Sequence, residues 1–198
     1  MKRITAFFVF FVSFSVVYVS VAYYLLSPRP LQHFMAFAVY SEGGTLSAYT
    51  GGFPLPVAEG QTVKWALEVV NEMGAVQFVR LLYRVGNSTT VAPSSSSPSP
   101  NNVPVVGNVT AFIGKEKTSR FELTWTILRK TQLGGSVYLD LVVNGVPTPY
   151  PMVAVSGGSF RFLFELWTFD LDTNSFQYGW SQESSRVGSW LQVWFSVA

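Results

Sequence analysis

The hydrophobic pattern divides the chain into one long apolar run and a series of short alternating segments. The run Ile4–Leu26 contains no charged residue, proline or glycine. At about 1.5 Å per residue, a helix of this length crosses a hydrocarbon core of roughly 30 Å. The pattern therefore predicts an N-terminal transmembrane helix, which Pro28 and Pro30 would end.

Beyond this run, apolar and polar residues alternate with a period of two, which is typical of half-buried β-strands. The clearest cases, Thr62–Val70 and Arg120–Leu128, place Trp65 and Trp125 on their apolar faces, so both rings are predicted to lie between two sheets. Further strands are predicted over residues 33–40, 75–85, 109–113, 136–143, 160–169 and 190–197. About eight or nine such strands predict an all-β, antiparallel, Ig-like β-sandwich preceded by the transmembrane helix.

Turn residues suggest how these strands are connected. Residues 71–74 predict a hairpin between the strands at 62–70 and 75–85, and Asn144-Gly145 is the strongest short hairpin signal in the chain. The return arm after Asn144-Gly145 carries three prolines and is predicted to form a protected sheet edge. Residues 86–107, with a serine- and proline-rich core at Pro93–Asn102, are predicted to form an exposed, flexible loop.

The flanking charges predict the orientation of the helix. Lys2 and Arg3 precede it, so the positive-inside rule predicts cytoplasmic residues 1–3, a signal-anchor helix in contact with lipid over residues 4–27, and an extracytoplasmic domain over residues 28–198. The predicted location is the cell membrane, with a single pass. A cleavable signal peptide is the alternative, because Ser20-Val21-Ala22 has the small residues that a signal peptidase reads. The apolar run exceeds a signal-peptide core of about 7–15 residues, which favours a retained anchor.

Composition excludes several kinds of function. Apart from Lys2 and Arg3, basic and acidic residues balance at 11 each and form no basic stripe, so nucleic acid is not an expected partner. The absence of cysteine excludes disulfides, thiol catalysis and thiolate metal sites. His33 is the only histidine. It excludes a histidine pair or triad, and we interpret it as the start of the first strand.

Two sequons, Asn87-Ser88-Thr89 and Asn108-Val109-Thr110, bracket the serine- and proline-rich loop. Both lie beyond the predicted helix and at the edges of a predicted loop, so Asn87 and Asn108 are candidates for N-glycosylation. Two ordinary turn asparagines are the alternative.

Asp170, Asp172 and Asn174 have the alternating oxygen ligands with which a calcium loop begins. Ser175 and Ser181 stand where such a loop has its glycine and its bidentate acid, so a hairpin turn is the favoured interpretation. The sequence predicts no other metal site and no cofactor.

The final strand points Trp190 and Trp194 away from the predicted core, with Trp167 and Trp180 nearby in sequence. Such rings are suited to a carbohydrate-stacking platform or to a contact surface for another protein. Cover by the second sheet or by a loop is the structural alternative.

No segment carries a catalytic motif. A glycosidase needs a close pair of carboxylates, and the chain has 11 acidic residues. Asp140 and Glu165, however, lie on predicted strand faces and are expected to be solvated. Gly157-Gly158-Ser159 lacks the pattern of a nucleophile elbow or a phosphate loop and is predicted to be a turn. We therefore expect that the protein is not an enzyme.

Two stretches resemble a known family. Val63–Tyr83 is similar to the central hairpin of the archaeal family known as domain of unknown function 1616, although the histidine expected between Asn71 and Glu72 is absent. Residues 160–179 and 190–197 resemble the closing pair of strands of that family. The resemblance implies an archaeal envelope protein with a membrane helix ahead of an Ig-like domain, and it implies no activity.

These features leave three functional hypotheses. The first is a non-catalytic, membrane-anchored extracytoplasmic module for adhesion, surface-layer contact or assembly with other envelope proteins. The second is a secreted fibre or pilus-like subunit whose N-terminal region is cleaved and which donates residues 33–40 as a strand to a neighbour. The third is a carbohydrate-binding or glycosidic domain. The fold class does not choose among them, and the oligomeric state stays open.

Overall fold

The structure is a computed structural model of the chain. It describes residues 2–27, 33–41, 55–155, 159–182 and 185–198, with the helix side chains from Phe10 onward. The chain divides into a helical unit, Met1–Gln32, and a β unit, His33–Ala198. The turn predicted at 157–159 lies largely outside the described residues.

Helix α1 spans Lys2–Leu26, which confirms the helix predicted from the apolar run. Its described large apolar side chains are exposed, from Phe10 at 68% to Leu26 at 81%. Within the described part of the chain, no helix is both long enough and apolar enough to cross a membrane. A transmembrane position for α1 therefore stays a prediction.

The β unit has fourteen strands among its described residues. In chain order they are β1 (Met35–Ser41), β2 (Leu55–Val57), β3 (Thr62–Asn71), β4 (Gln77–Asn87), β5 (Val105–Ile113), β6 (Lys117–Leu133), β7 (Ser136–Val143), β8 (Val146–Pro147), β9 (Met152–Val155), β10 (Ser159–Asp170), β11 (Ser175–Tyr178), β12 (Trp180–Gln182), β13 (Ser185–Val187) and β14 (Ser189–Val197).

These strands form a β-sandwich of two six-stranded sheets. Sheet A has the order β1-β3-β6-β7-β8, with β9 also on β7, and sheet B has the order β2-β14-β10-β4-β5, with β11 also on β10. Strands β12 and β13 form a separate ribbon. The named pairings are antiparallel except for the parallel pair β2 and β14. The strand number exceeds the eight or nine expected because most of the additional strands are too short to show alternation.

The strand order is Ig-like with one difference. In sheet A, β3 pairs with the much later β6, as strands B and E of an immunoglobulin sandwich do. The strand beyond β6, however, is β7, which follows it in the chain, whereas the corresponding immunoglobulin strand D precedes strand E. A tight turn at Gly134 and Gly135, with φ of +57° and +82°, joins β6 to β7 and allows this order.

The predicted hairpin between residues 62–70 and 75–85 is wrong. Strand β3 pairs with β1 and β6 in sheet A, whereas β4 pairs with β5 and β10 in sheet B. The chain after Asn71 therefore crosses from one sheet to the other. The buried Asn71 amide secures this crossing, because it donates to the carbonyls of Ala75, Ile113 and Gly114 at 2.9–3.0 Å. Alternation identifies the buried face of a strand, but it does not identify the neighbouring strand.

The hairpin predicted at Asn144-Gly145 is confirmed. Both residues have positive φ, +50° and +79°, as a type I′ turn requires. This turn joins β7 to the two-residue strand β8. The proline-bearing arm supplies β8 and β9, which form an edge of sheet A as predicted.

The core between the sheets contains a cluster of aromatic rings among aliphatic side chains. Trp65 and Trp125 are 4% and 1% exposed, which confirms their predicted inward direction. Their ring centroids lie 5.3 Å apart, and both rings contact Phe162. Val193 and Phe195 are also buried, so the predicted inward face of the final strand is correct.

Removing a core tryptophan should destabilise the sandwich far more than removing Trp194. We expect Trp125→Ala to lower the free energy of unfolding by about 3–5 kcal/mol, because it leaves a cavity between the sheets. Trp194→Ala should cost about 1 kcal/mol or less, because its half-buried ring loses mainly a contact with the Arg161 guanidinium, 4.8 Å from its centroid.

Thermal unfolding of the full chain in detergent, followed by near-ultraviolet circular dichroism, measures both variants. Trp65→Ala should resemble Trp125→Ala. A larger loss for Trp194→Ala than for either core variant would contradict the register of β14.

Candidate functional site

The outer face of sheet B, turned away from the core, is the first candidate surface. Its central strand, β10, is buried on both faces. Arg161 and Glu165 point outward but are only 7% and 0% exposed. The expectation that Glu165 is solvated is therefore wrong, because another part of the chain covers this face.

The serine- and proline-rich segment provides that cover. Ser99 is 2% exposed, and its N–H donates to Glu165 Oε1 at 2.9 Å. The hydroxyl of Tyr178 donates to the carbonyl of Ser94 at 2.9 Å. In this segment the side chains of residues 94–97 and 100–102 are exposed, as predicted, whereas Pro93, Ser99 and Val103 are buried, and the prediction is wrong at those three positions. The composition of the segment correctly indicated irregular backbone, but irregular backbone packs on a sheet when its polar groups find partners there.

A buried ion pair lies beneath this segment. Arg84 Nε is 3.2 Å from Glu165 Oε1, and the two side chains are 8% and 0% exposed. Glu165 Oε2 accepts the indole N–H of Trp167 at 3.1 Å, and the Arg84 guanidinium donates to the carbonyl of Val103. A buried charge is tolerated only when it is paired with a counter-charge and hydrogen-bonded. Glu165 therefore has a structural role, because its carboxylate stabilises the packing of the covering segment on sheet B.

Arg186 makes a second polar cluster at the side of the same sheet. Its guanidinium donates to Thr168 Oγ1 at 2.7 Å, to the carbonyl of Gly179 at 2.9 Å and to Asp170 Oδ2 at 3.2 Å. Burial lowers the pKa of Arg186, and the nearby Asp170 partly opposes that shift. Burial also raises the pKa of Tyr178, with a further contribution from Glu165. These groups connect the β12–β13 ribbon to sheet B.

The candidate calcium loop is a hairpin turn between β10 and β11. Asp170 Oδ1 accepts the N–H groups of Asp172 and Thr173, both at 3.0 Å. The hydrogen bonds from Thr173 are the main reason that the pKa of Asp170 lies below its ordinary value. Asn174 adopts a φ of +49°, which suits a tight turn. Among the described residues, no three His, Cys, Asp or Glu side chains are grouped as a metal site.

Trp190 and Trp194 lie on the outer face of sheet B, as predicted, and both are half-buried. The Arg161 guanidinium covers part of the Trp194 ring and also donates to Gln192 Oε1 at 2.7 Å and to the carbonyl of Thr90. The apolar surface that Trp194 offers to a partner is therefore smaller than alternation alone suggests. The role of Trp190 and Trp194 as a contact surface stays a prediction.

Trp167 and Trp180 do not join Trp190 and Trp194 in one exposed platform. Trp167 packs edge-on against Tyr178, with centroids 5.7 Å apart. Trp180 packs partly against the core. The four tryptophans therefore occupy different environments.

A row of four phenylalanines crosses one end of the outer face, and the sequence analysis did not identify it. Phe112, Phe78, Phe169 and Phe176 lie on β5, β4, β10 and β11, which are neighbours in sheet B. Phe78 stacks on Phe112 at 4.3 Å and lies 5.0 Å from Phe176. The Arg80 guanidinium lies 3.9 Å above the Phe176 ring. These four residues are adjacent only because β5, β4, β10 and β11 are neighbours in sheet B. The predicted hairpin between residues 62–70 and 75–85 gave a different strand order, so the sequence did not reveal the row.

A groove of about 580 Å³ opens at the opposite end of the sandwich. It is lined by residues from 85–91, 100–104 and 150–153, and its lining includes no acidic, basic or histidine side chain. Tyr150 and Val91 are 54% and 66% exposed beside it. The groove can accept a neutral group, but it offers no carboxylate pair for acid–base catalysis.

The two sequons lie in different surroundings. The Asn87 amide Nδ2 donates to the carbonyl of Val153 at 2.7 Å, and its Oδ1 accepts the N–H groups of Thr89 and Thr90. Its side chain is therefore already used within the turn. Asn108 is exposed on β5, at an edge of sheet B. Glycosylation at either position stays a prediction, and the structure favours Asn108.

Breaking the buried ion pair should release the segment that covers it. We expect Glu165→Leu to lower the free energy of unfolding by about 3–5 kcal/mol, because Arg84 is left buried without its counter-charge. The double variant Arg84→Met/Glu165→Leu should lose less than the sum of the single losses. Limited proteolysis should cut residues 93–102 faster in Glu165→Leu than in the wild type.

The exposed pair of Arg129 and Asp140 is a matched control. Arg129 Nη2 lies 2.7 Å from Asp140 Oδ2, with side chains 70% and 32% exposed. Breaking it with Arg129→Met should cost about 1 kcal/mol or less. Equal losses from Glu165→Leu and Arg129→Met would show that Glu165 is not the buried attachment point.

Comparisons with known proteins do not assign a family. No protein-family model matches the sequence. No curated protein is significantly similar to it. The resemblance to domain of unknown function 1616 is thus not established, and the central hairpin on which it partly depended is absent.

Solved structures give only distant similarities. The crystal structure of the CARDB domain of a Pyrococcus furiosus protein, in complex with di-metal ions, aligns with 86% of this chain and 97% of that domain, at 11% identity and a TM-score of 0.40. A solution NMR structure of the same domain aligns with a TM-score of 0.41. A β-glucosidase from Listeria innocua aligns with 82% of this chain but only 16% of its own length, at 9% identity and a TM-score of 0.38. Similarities at this level assign neither a family nor a function.

Proposed function

We propose that this protein is a non-catalytic β-sandwich module, anchored in the cell membrane by its N-terminal helix and displayed on the outer side of the envelope. Its role would be adhesion, surface-layer contact or assembly with other envelope proteins. The observation that carries this proposal is the exposure of the apolar side chains of α1 around the helix. Phe10, Phe11, Val16 and Val19, which point to different sides of the helix, are 60–68% exposed.

A helix with apolar side chains on all sides is stable only where something apolar surrounds it. The apolar sequence also continues back to Ile4, beyond the described side chains. Lipid is the surrounding that fits a helix of this length and composition. Lys2 and Arg3 at its start support a cytoplasmic N-terminus. The resemblance to an archaeal envelope family agrees with this location, although no family is established.

The arrangement of the charged side chains favours a binding role over catalysis. Glu165, Asp170 and Asp140 each lie against an arginine. The groove has no charged side chain in its lining. A binding module needs complementary shape and neutral contacts, and the groove can provide both.

The strand-donation hypothesis is less well supported. Residues 35–41 pair with β3 of the same chain over seven positions. Donating this strand to a neighbour would leave β3 as an unpaired edge, with a loss of those backbone hydrogen bonds. A cleaved, secreted form of the protein remains the main alternative to the anchor.

The anchor can be tested with the full-length protein in cell membranes. We expect it to remain in the membrane pellet after alkaline carbonate extraction, with an intact N-terminus by mass spectrometry and a C-terminal tag accessible from outside. The control is Val12→Arg/Val16→Arg, because two charges at the centre of a spanning helix cost several kcal/mol and should release the protein. A soluble wild-type species that begins near Tyr23 would rule out the retained anchor.

Carbohydrate binding in the groove is a second candidate function. The exposed Tyr150 ring beside a neutral lining with amide and hydroxyl groups favours it. Tyr150→Ala should weaken binding of a neutral oligosaccharide about tenfold, whereas Leu171→Ala, at an exposed leucine at the other end of the sandwich, should not change it. Titration calorimetry against neutral envelope polysaccharides measures the affinity. Absence of binding by the wild type would remove this candidate.

A further inference from the structure

Exposed apolar side chains gather at the end of the sandwich where the chain arrives from the helical unit. This end, the His33 end, consists of residues 33–35, 71–77, 112–117 and 169–176. Val76, Phe112 and Leu171 are 61%, 72% and 87% exposed there, and Phe34 is 43% exposed.

Backbone pairings and contacts place these segments together. Met35 at the start of β1 pairs with Asn71 at the end of β3. The Asn71 amide in turn bonds the carbonyls of Ile113 and Gly114. Phe78 pairs with Phe112, and both belong to the phenylalanine row that ends beside the turn at Leu171. The His33 ring packs so closely on Gly74 that a Cβ there would lie 2.8 Å from it.

Charge at the His33 end is balanced. The acidic residues in these segments are Glu72, Glu116, Asp170 and Asp172, and the basic residues are Lys115 and Lys117, to which Arg80 and Arg186 add two positive charges from just outside the segments. Lys115 lies 3.4 Å from Glu116, Arg186 lies 3.2 Å from Asp170, and Arg80 covers Phe176. This surface would therefore bind a partner mainly through its apolar side chains, and the partner need not be charged.

We propose that the His33 end rests on the bilayer and inserts Phe112 and Leu171 into its interfacial region. This inference depends on the proposed membrane anchor. Only five residues lie between Ser27, at the end of the helical unit, and His33. A bilayer that holds the helix is therefore the apolar partner nearest to this end of the domain.

The side chains suit insertion at an interface. Leu171 lies at the tip of a turn and Phe112 lies near the end of an edge strand, so both project without burying backbone groups in lipid. Apolar insertion combined with a neutral surface charge fits uncharged headgroups as well as anionic ones. A second copy of this chain or another protein on the same surface is the competing occupant.

The absence of cysteine makes a direct test possible, because any introduced cysteine is unique. Leu171→Cys and Phe112→Cys report the His33 end. Leu133→Cys is the matched control, because Leu133 is 69% exposed at the far end of the 17-residue strand β6. Each variant of the full chain is labelled with bimane and reconstituted in phosphatidylcholine vesicles with nitroxide-labelled acyl chains. Thermal unfolding verifies that each variant folds.

We expect lipid-borne nitroxide to reduce bimane fluorescence at position 171 at least about twofold more than at position 133. Aqueous iodide should show the reverse order. Replacing part of the phosphatidylcholine with phosphatidylglycerol should leave the ratio unchanged. Equal quenching by iodide at positions 171 and 133, without lipid quenching, would overturn the proposal. Protection from both quenchers would also overturn it, because a protein would then cover the surface.

The same vesicles separate this inference from the proposed anchor. Flotation after carbonate treatment reports whether the chain is integral to the membrane. A chain that floats while position 171 escapes lipid quenching refutes only the insertion of the His33 end. A chain that does not float refutes the anchor.

Discussion

The arrangement of sheet B depends on the burial of Glu165 at the centre of its outer face. A carboxylate at this position is stable only with a counter-charge and hydrogen-bond donors around it. Arg84 on the neighbouring strand, the Trp167 indole and the Ser99 amide supply them. One of these partners belongs to the serine- and proline-rich segment, so the charge and the segment hold each other in place. The outer face is consequently divided into a covered centre and two uncovered ends.

This division separates the surfaces available to partners. The groove at one end has a neutral, mixed lining, whereas the phenylalanine row at the other end is strongly apolar. A domain with different surfaces at its two ends can contact two partners at once, provided that neither partner needs the covered centre. Such a bipolar arrangement is suited to a module that connects a surface near its N-terminus with a ligand farther away.

The sequence predicted local features well and long-range relations poorly. Alternation correctly gave the inward faces of Trp65 and Trp125, and two residues able to adopt positive φ correctly gave the turn at Asn144-Gly145. Both properties are determined within a few residues of chain. The crossing after Asn71 depends on a contact with Gly114, and the burial of Glu165 depends on Ser99. No local sequence pattern contains information about contacts between such distant segments. The predicted hairpin and the predicted solvent exposure of Glu165 were therefore wrong for the same physical reason.

The parallel pairing of β2 with β14 has a consequence for biosynthesis. Residues 55–57 find their sheet partner only at residues 195–197, 140 residues later in the chain. Sheet B therefore cannot form this pair before residues 195–197 have been synthesised, and a pairing between segments so far apart in sequence slows folding. The position of one three-residue strand thus makes synthesis as far as residue 197 a condition for completing sheet B.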